Sequence, residues 1–154
     1  MGDVAALAAM GVSQFENVTD TAGINDVGPS WGSAWGDFDG DGDEDIFLTH
    51  LARETNTLYI NDGQGWFEDR TVAMGLAGPS FPMTGFGTGW IDVDNDGWLD
   101  LFVGNGEVSL ARASSAAQDS SPLEQANQLF LNRAGQGFAA VEPVDGGVGL
   151  RAEV

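Results

Sequence analysis

Short apolar runs punctuated by glycine and aspartate set the rhythm of this chain, with no sustained 3.6-residue stripe of the kind a helix needs. Trp31, Ser33 and Trp35 alternate with Gly32 and Ala34, and Phe86, Thr88 and Trp90 alternate with Gly87 and Gly89. A period of two predicts a strand in each place, and the small residues on one side permit close approach of a neighbouring sheet. The runs Ile46-Phe47-Leu48 and Leu101-Phe102-Val103 are continuous and predict buried strands. "LYIN" (58–61) and "LFLN" (129–132) predict two more, each followed by an Asn- and Gly-rich link, "NDGQG" or "NRAGQG", suited to a tight hairpin.

These elements are two copies of one unit. An offset of 55 lays residues 31–48 over 86–103, and an offset of 71 lays residues 56–67 over 127–138. The difference of 16 predicts an insertion within residues 106–126, read as a long surface loop with a helical turn near 122–126. A Phe-led element recurs at 15–24, 67–76 and, more weakly, 138–147. Repeat 1 is thus placed at about 15–66, repeat 2 at about 67–137, and the start of a third at 138–154. Four antiparallel strands in roughly 50 to 70 residues is the size of a propeller blade. The expected fold is all-β: two four-stranded blades, an acidic loop between the first and second strand of each, and a surplus N-terminal outer strand.

Charge narrows the partners. Twenty-four acidic residues stand against five arginines and no lysine, for a net charge of -19. Nucleic acid and anionic membrane surfaces are repelled by such a chain, whereas cations are attracted. Cysteine is absent, which excludes disulfides and thiolate metal sites. No apolar run reaches the ~18 residues of a membrane span. Residues 1–14 begin "MGDVAALAAMG" without a basic flank, and a tag, the remnant of a processed leader and a short helix all fit them.

The negative charge concentrates in two loops. Asp37, Asp39, Asp41 and Asp45 occupy positions 1, 3, 5 and 9 of the first, and Asp92, Asp94, Asp96 and Asp100 the same positions of the second, with Gly42 and Gly97 at position 6. Alternate carboxylates on a tight turn aim at one point, and the carbonyls of Asp43 and Trp98 at position 7 can join them. The resulting ~6 oxygens suit Ca²⁺, whereas Mg²⁺ demands a tighter octahedron and Zn²⁺ prefers Cys and His. Two Ca²⁺ sites are therefore expected. An EF-hand is excluded at position 12, where Leu48 or Val103 replaces the bidentate glutamate.

"WGDFDGDGDEDIFLTH" and "NTLYINDGQGWFEDRT" together resemble the FG-GAP/VCBS repeats of integrin-type β-propellers, in wording nearest the ASPIC/UnbV and acidic cartilage protein group. The resemblance spans about residues 15–141. It implies Ca²⁺ on the eight aspartates, an extracellular, cell-surface or periplasmic location and an adhesive or scaffolding role; it does not imply an enzyme. Such propellers have about seven blades. Two blades alone leave aromatic faces open, so a homo-oligomeric ring or a filament is expected, with residues 15–18 completing a neighbour's last blade.

Other residues receive structural readings. Trp31, Trp35 and Trp90 are expected in the core. His50, the single histidine, is expected to be structural; a triad would have to use it. Trp66 and Trp98 are the candidates for an alternative, lectin-like recognition of a glycan or protein, although Trp98 also suits a cover over a blade edge. Residues 17–19, "NVT", form a glycosylation sequon, a weak signal by itself.

Overall fold

The computed structural model describes residues 16–26, 28–108 and 125–142. Eight strands follow one another: β1 (Gly32–Gly36), β2 (Asp45–Thr49), β3 (Thr57–Asn61), β4 (Phe67–Asp69), β5 (Gly85–Ile91), β6 (Asp100–Asn105), β7 (Gln128–Asn132) and β8 (Phe138–Ala140). They form two four-stranded antiparallel meanders, β1-β2-β3-β4 and β5-β6-β7-β8. Among the described residues one short helix, α1 (Ala77–Ser80), links the sheets, and no helix is long and apolar enough to cross a membrane. Its sequence, AGPS, gives no helical signal. Pro79 is tolerated because its missing N–H falls in the first turn, where no partner is required.

Register explains where the acidic loops sit. Gly36 pairs with Asp45 and Ile91 with Asp100, so each loop closes the hairpin between the first two strands of its sheet. The core lies between the sheets. Phe38, Phe47 and Leu58 of the first meet Leu101, Val103, Phe130 and Phe138 of the second, with Leu76 and part of Trp90. Under the 55-residue offset Phe47 corresponds to Phe102 and Ile46 to Leu101. Phe47 and Leu101 are both inward, so the sheets stack face to back, unlike the two facing halves of a sandwich.

The contact of β1 with β5 depends on glycine. A Cβ on Gly32 would strike the carbonyl oxygen of Phe86, and one on Gly36 would lie 2.6 Å from Cδ1 of Trp90. Gly32→Ala should therefore lower unfolding free energy by about 1–3 kcal/mol, the cost of overpacking against a backbone atom that cannot swing aside. Gly89→Ala on the open face of β5, where nothing lies within 4 Å, should be close to neutral. Equal urea midpoints for the two variants would refute this account of the packing.

One expectation is corrected. Trp31 and Trp35 are 53% and 58% exposed instead of buried. The small side of β1, Gly32, Ala34 and Gly36, faces the second sheet, which leaves Trp35 facing away, while Trp31 meets Phe86 of β5 edge-on with ring centroids 5.7 Å apart. Trp90 does pack into the inter-sheet core, stacked 6.0 Å from Phe38 and edge-on to Phe47.

The Phe-led element at 67–76 is a strand of three residues followed by a helical turn. Residues 18–24 and 70–76 turn alike, with N–H bonds from Ala22 to Val18 and from Met74 to Arg70. Each turn ends at a left-handed glycine, Gly23 or Gly75. Each also receives an outer strand: the Phe67 N–H donates to Ala22 and the Phe138 N–H to Met74. Of the expected surplus strand, residues 16–18 belong to neither sheet and Phe15 lies outside the described residues, as do the N-terminal segment and residues 109–124 of the insertion.

Candidate metal centre

Backbone amides wind both acidic loops around their first aspartate. Asp37 accepts from the N–H groups of Gly40 at 2.8 Å, Asp41 at 3.1 Å and Gly42 at 3.1 Å. Asp92 accepts in the same way from Asp96 and Gly97, each at 3.1 Å. Gly42 and Gly97, at φ +96° and +92°, make the turn that brings position 9 back over position 1. The third and fifth aspartates repeat this local bonding: Asp39 and Asp94 accept from the amides of Asp41 and Asp96. Asp41 and Asp96 accept from Asp43 and Trp98, each at 2.9 Å.

Position 9 opens the following strand and is buried: Asp45 is 0% and Asp100 1% exposed. Each of these carboxylates spans its loop. Asp45 accepts from Phe38 at 3.4 Å and Asn61 at 3.0 Å. Asp100 accepts from Val93 at 3.0 Å and Asn132 at 2.8 Å. Asp37, Asp39 and Asp45 consequently bring carboxylate oxygens within 4.8 Å of one another, as do Asp92, Asp94 and Asp100. Asp41 and Asp96 lie in the same loops but outside these triplets. The Asp43 carboxylate lies against Gly63 of the β3–β4 hairpin, and the Trp98 ring leans on Gly40 of the first loop.

Two asparagines belong to the site although their composition suggests only hairpin residues. Besides the amide bonds to Asp45 and Asp100, Asn61 Nδ2 donates to the Glu44 carbonyl at 3.2 Å, and Asn132 Nδ2 to the Leu99 carbonyl at 2.9 Å. They hold the residue before each buried carboxylate. Their signal in the sequence is the recurrence of Asn at the end of "LYIN" and "LFLN" at the 71-residue offset.

Crowding these groups has an electrostatic cost. Burial pushes the Asp45 carboxyl up to about 6, and the charges of Asp39 and Asp41 add to it, against hydrogen bonds from Asn61 and Phe38 that favour the ionised form. Asp39 is also raised, first by burial and then by Asp41 and Asp37. Among the described residues the ion pairs are His50 with Asp26 and Glu54, and Arg70 with Glu68; none reaches either loop. Each triplet is thus an all-oxygen, uncompensated set able to hold a hard divalent cation.

The remaining candidates stand apart from the triplets. His50 is buried at the end of β2, its N–H bonded to Asn56 and its ring beside Asp26, Glu54 and Thr57. Trp66 is 51% exposed, with one edge of its ring over Gly23.

Comparison with known proteins agrees with this architecture. Residues 37–103 match the FG-GAP-like repeat, a span running from the first aspartate of the first loop through the second loop into β6. Over that span the chain is similar to the FG-GAP-like repeat, a likeness that suggests a binding module of the β-propeller type. No curated protein matches the chain.

Proposed function

We propose that this chain is a calcium-stabilised binding and scaffolding module, not an enzyme, that acts outside the cytoplasm and self-assembles through its blade-like sheets into a ring or a fibre with an adhesive role. The observation that carries the calcium reading is the pair of carboxylate triplets, built twice from the same turn and, among the described residues, without an ion-pair partner. Ca²⁺ in each would be held by Asp37, Asp39 and Asp45, or by Asp92, Asp94 and Asp100. Asp41 and Asp96 would complete the shells, with the carbonyls of Asp43 and Trp98. The ion supplies the positive charge that lets a carboxylate be buried at the start of β2 and of β6.

The extracellular reading follows from the same chemistry. Loops of this kind with modest affinity fill at millimolar calcium and stay empty at cytosolic levels. Self-assembly rests on Trp35, apolar and open on the outer side of the first sheet, beside a Trp31 that is half-exposed and edge-on to Phe86. Calorimetric titration with calcium tests the site assignment. The chain should take up two ions, Asp37→Asn should leave one site, and Asp92→Asn should leave the other. Failure to bind calcium, or two ions in either variant, would sink the assignment.

A further inference from the structure

We propose that Asn132 couples the two acidic loops, so that a cation in one tightens the other; this rests on the calcium reading above. The bonds form a continuous relay between the two buried carboxylates. Asp45 of the first loop accepts from the Phe38 N–H at 3.4 Å. The carbonyl of that same Phe38 accepts from Asn132 Nδ2 at 2.8 Å, across the inter-sheet boundary. The Asn132 N–H in turn donates to Asp100 of the second loop at 2.8 Å, while Nδ2 also serves Leu99.

The amide therefore holds a carbonyl of each loop at once. Its Oδ1 accepts from Gly135 at 2.8 Å, fixing the hairpin that presses against Asp39. At 7% exposure the side chain has little freedom to exchange these partners for water. Asn61 sits at the matching place in the first sheet, but its bonds to Asp45 and Glu44 stay within that sheet. An ion that orders Asp45 and Phe38 fixes Asn132, and the second ion then meets a loop already ordered at Asp100. Less conformational freedom is lost on the second event, which is positive coupling.

Calcium calorimetry on the full chain measures this as a ratio: the product of the two association constants of the intact protein over the product of the single-site constants of Asp37→Asn and Asp92→Asn. The expected ratio is at least about fivefold, the lower end of typical couplings. Asn132→Ala, with each single-site change repeated in its background, should bring the ratio to one, whereas Asn61→Ala should weaken the first site and keep it. A ratio of one or below in the intact chain, or one unaltered by Asn132→Ala, overturns the coupling and leaves the calcium sites standing. If Asn132→Ala does not fold, the intact chain and the two single-site variants still decide. Absence of calcium uptake overturns both readings.

Discussion

Removing calcium with a chelator should lower the thermal midpoint of this chain by roughly 10–20 °C. An ion that binds only the folded state adds about 2.7 kcal/mol when free calcium stands at ~100 times Kd, so two sites contribute about 5 kcal/mol. In a chain of this size each kcal/mol moves the midpoint by about 2–4 °C. The triplets give a structural reason for a loss of this size: without the cation, Asp45 and Asp100 are buried carboxylates beside other carboxylates. Scanning calorimetry in calcium and in chelator gives the result directly, and an unmoved midpoint would contradict the proposed role of the ion.

Acidity adds a sign to the same measurement. In the cation-free protein the Asp45 carboxyl is pushed up to about 6, against an ordinary 3.8. Between those values the folded chain binds more protons than the unfolded one, so this group makes stability fall as pH rises from about 4 to about 6. Calcium bound as proposed would hold the carboxylate ionised and reverse the slope. Protection by calcium should therefore be largest above about pH 6 and fade below it, as protons compete for Asp45. A calcium-induced midpoint shift that is equal at pH 4.5 and pH 7 would show that Asp45 does not titrate in competition with the ion.

Strand identity was legible wherever a residue's neighbours along the chain decide it. Period two at Trp31, Ser33 and Trp35, and the greasy run at Ile46, Phe47 and Leu48, are local signals, and both became strands at the expected place. The spacing brought positions 1, 3, 5 and 9 into one expected set, of which the first, third and ninth converge in each loop while Asp41 and Asp96 at position 5 lie outside the triplets. Orientation was legible only in part: the small side of β1 meets a neighbouring sheet as expected, but Trp31 and Trp35, expected in the core, are exposed. Alternation on β1 says that tryptophans share a side, but glycine on the other side invites a neighbouring sheet just as strongly, and that side is the one covered. The role of Asn132 was out of reach for another reason: its bond to Phe38 joins residues 94 apart in the chain. No spacing rule connects them until two sheets have stacked.

Replacing Trp35 by serine should weaken self-association roughly a hundredfold while leaving the fold intact. The 55-residue offset makes Trp35 the counterpart of Trp90. Within the chain Trp90 packs on Gly36, Phe38 and Phe47 of the first sheet. Their counterparts on the second sheet are Ile91, Val93 and Phe102, all apolar and 50%, 39% and 39% exposed. The outer side of the second sheet thus repeats, in altered form, the seat that already holds a tryptophan. Val93 in place of Phe38 frees volume beside the larger Ile91. A second copy that sets its Trp35 on these three residues continues the face-to-back stacking of β1 on β5, a head-to-tail contact able to close into a ring or extend as a fibre. Covering roughly 100–150 Å² of the indole at ~25 cal/mol per Å² is worth about 3 kcal/mol, hence the hundredfold. Sedimentation in calcium should show the intact chain associating, and Trp35→Ser and Phe102→Ser each shifting it towards monomer with unchanged circular dichroism. An intact chain that sediments as a monomer at every concentration would refute this contact, whatever its calcium affinity.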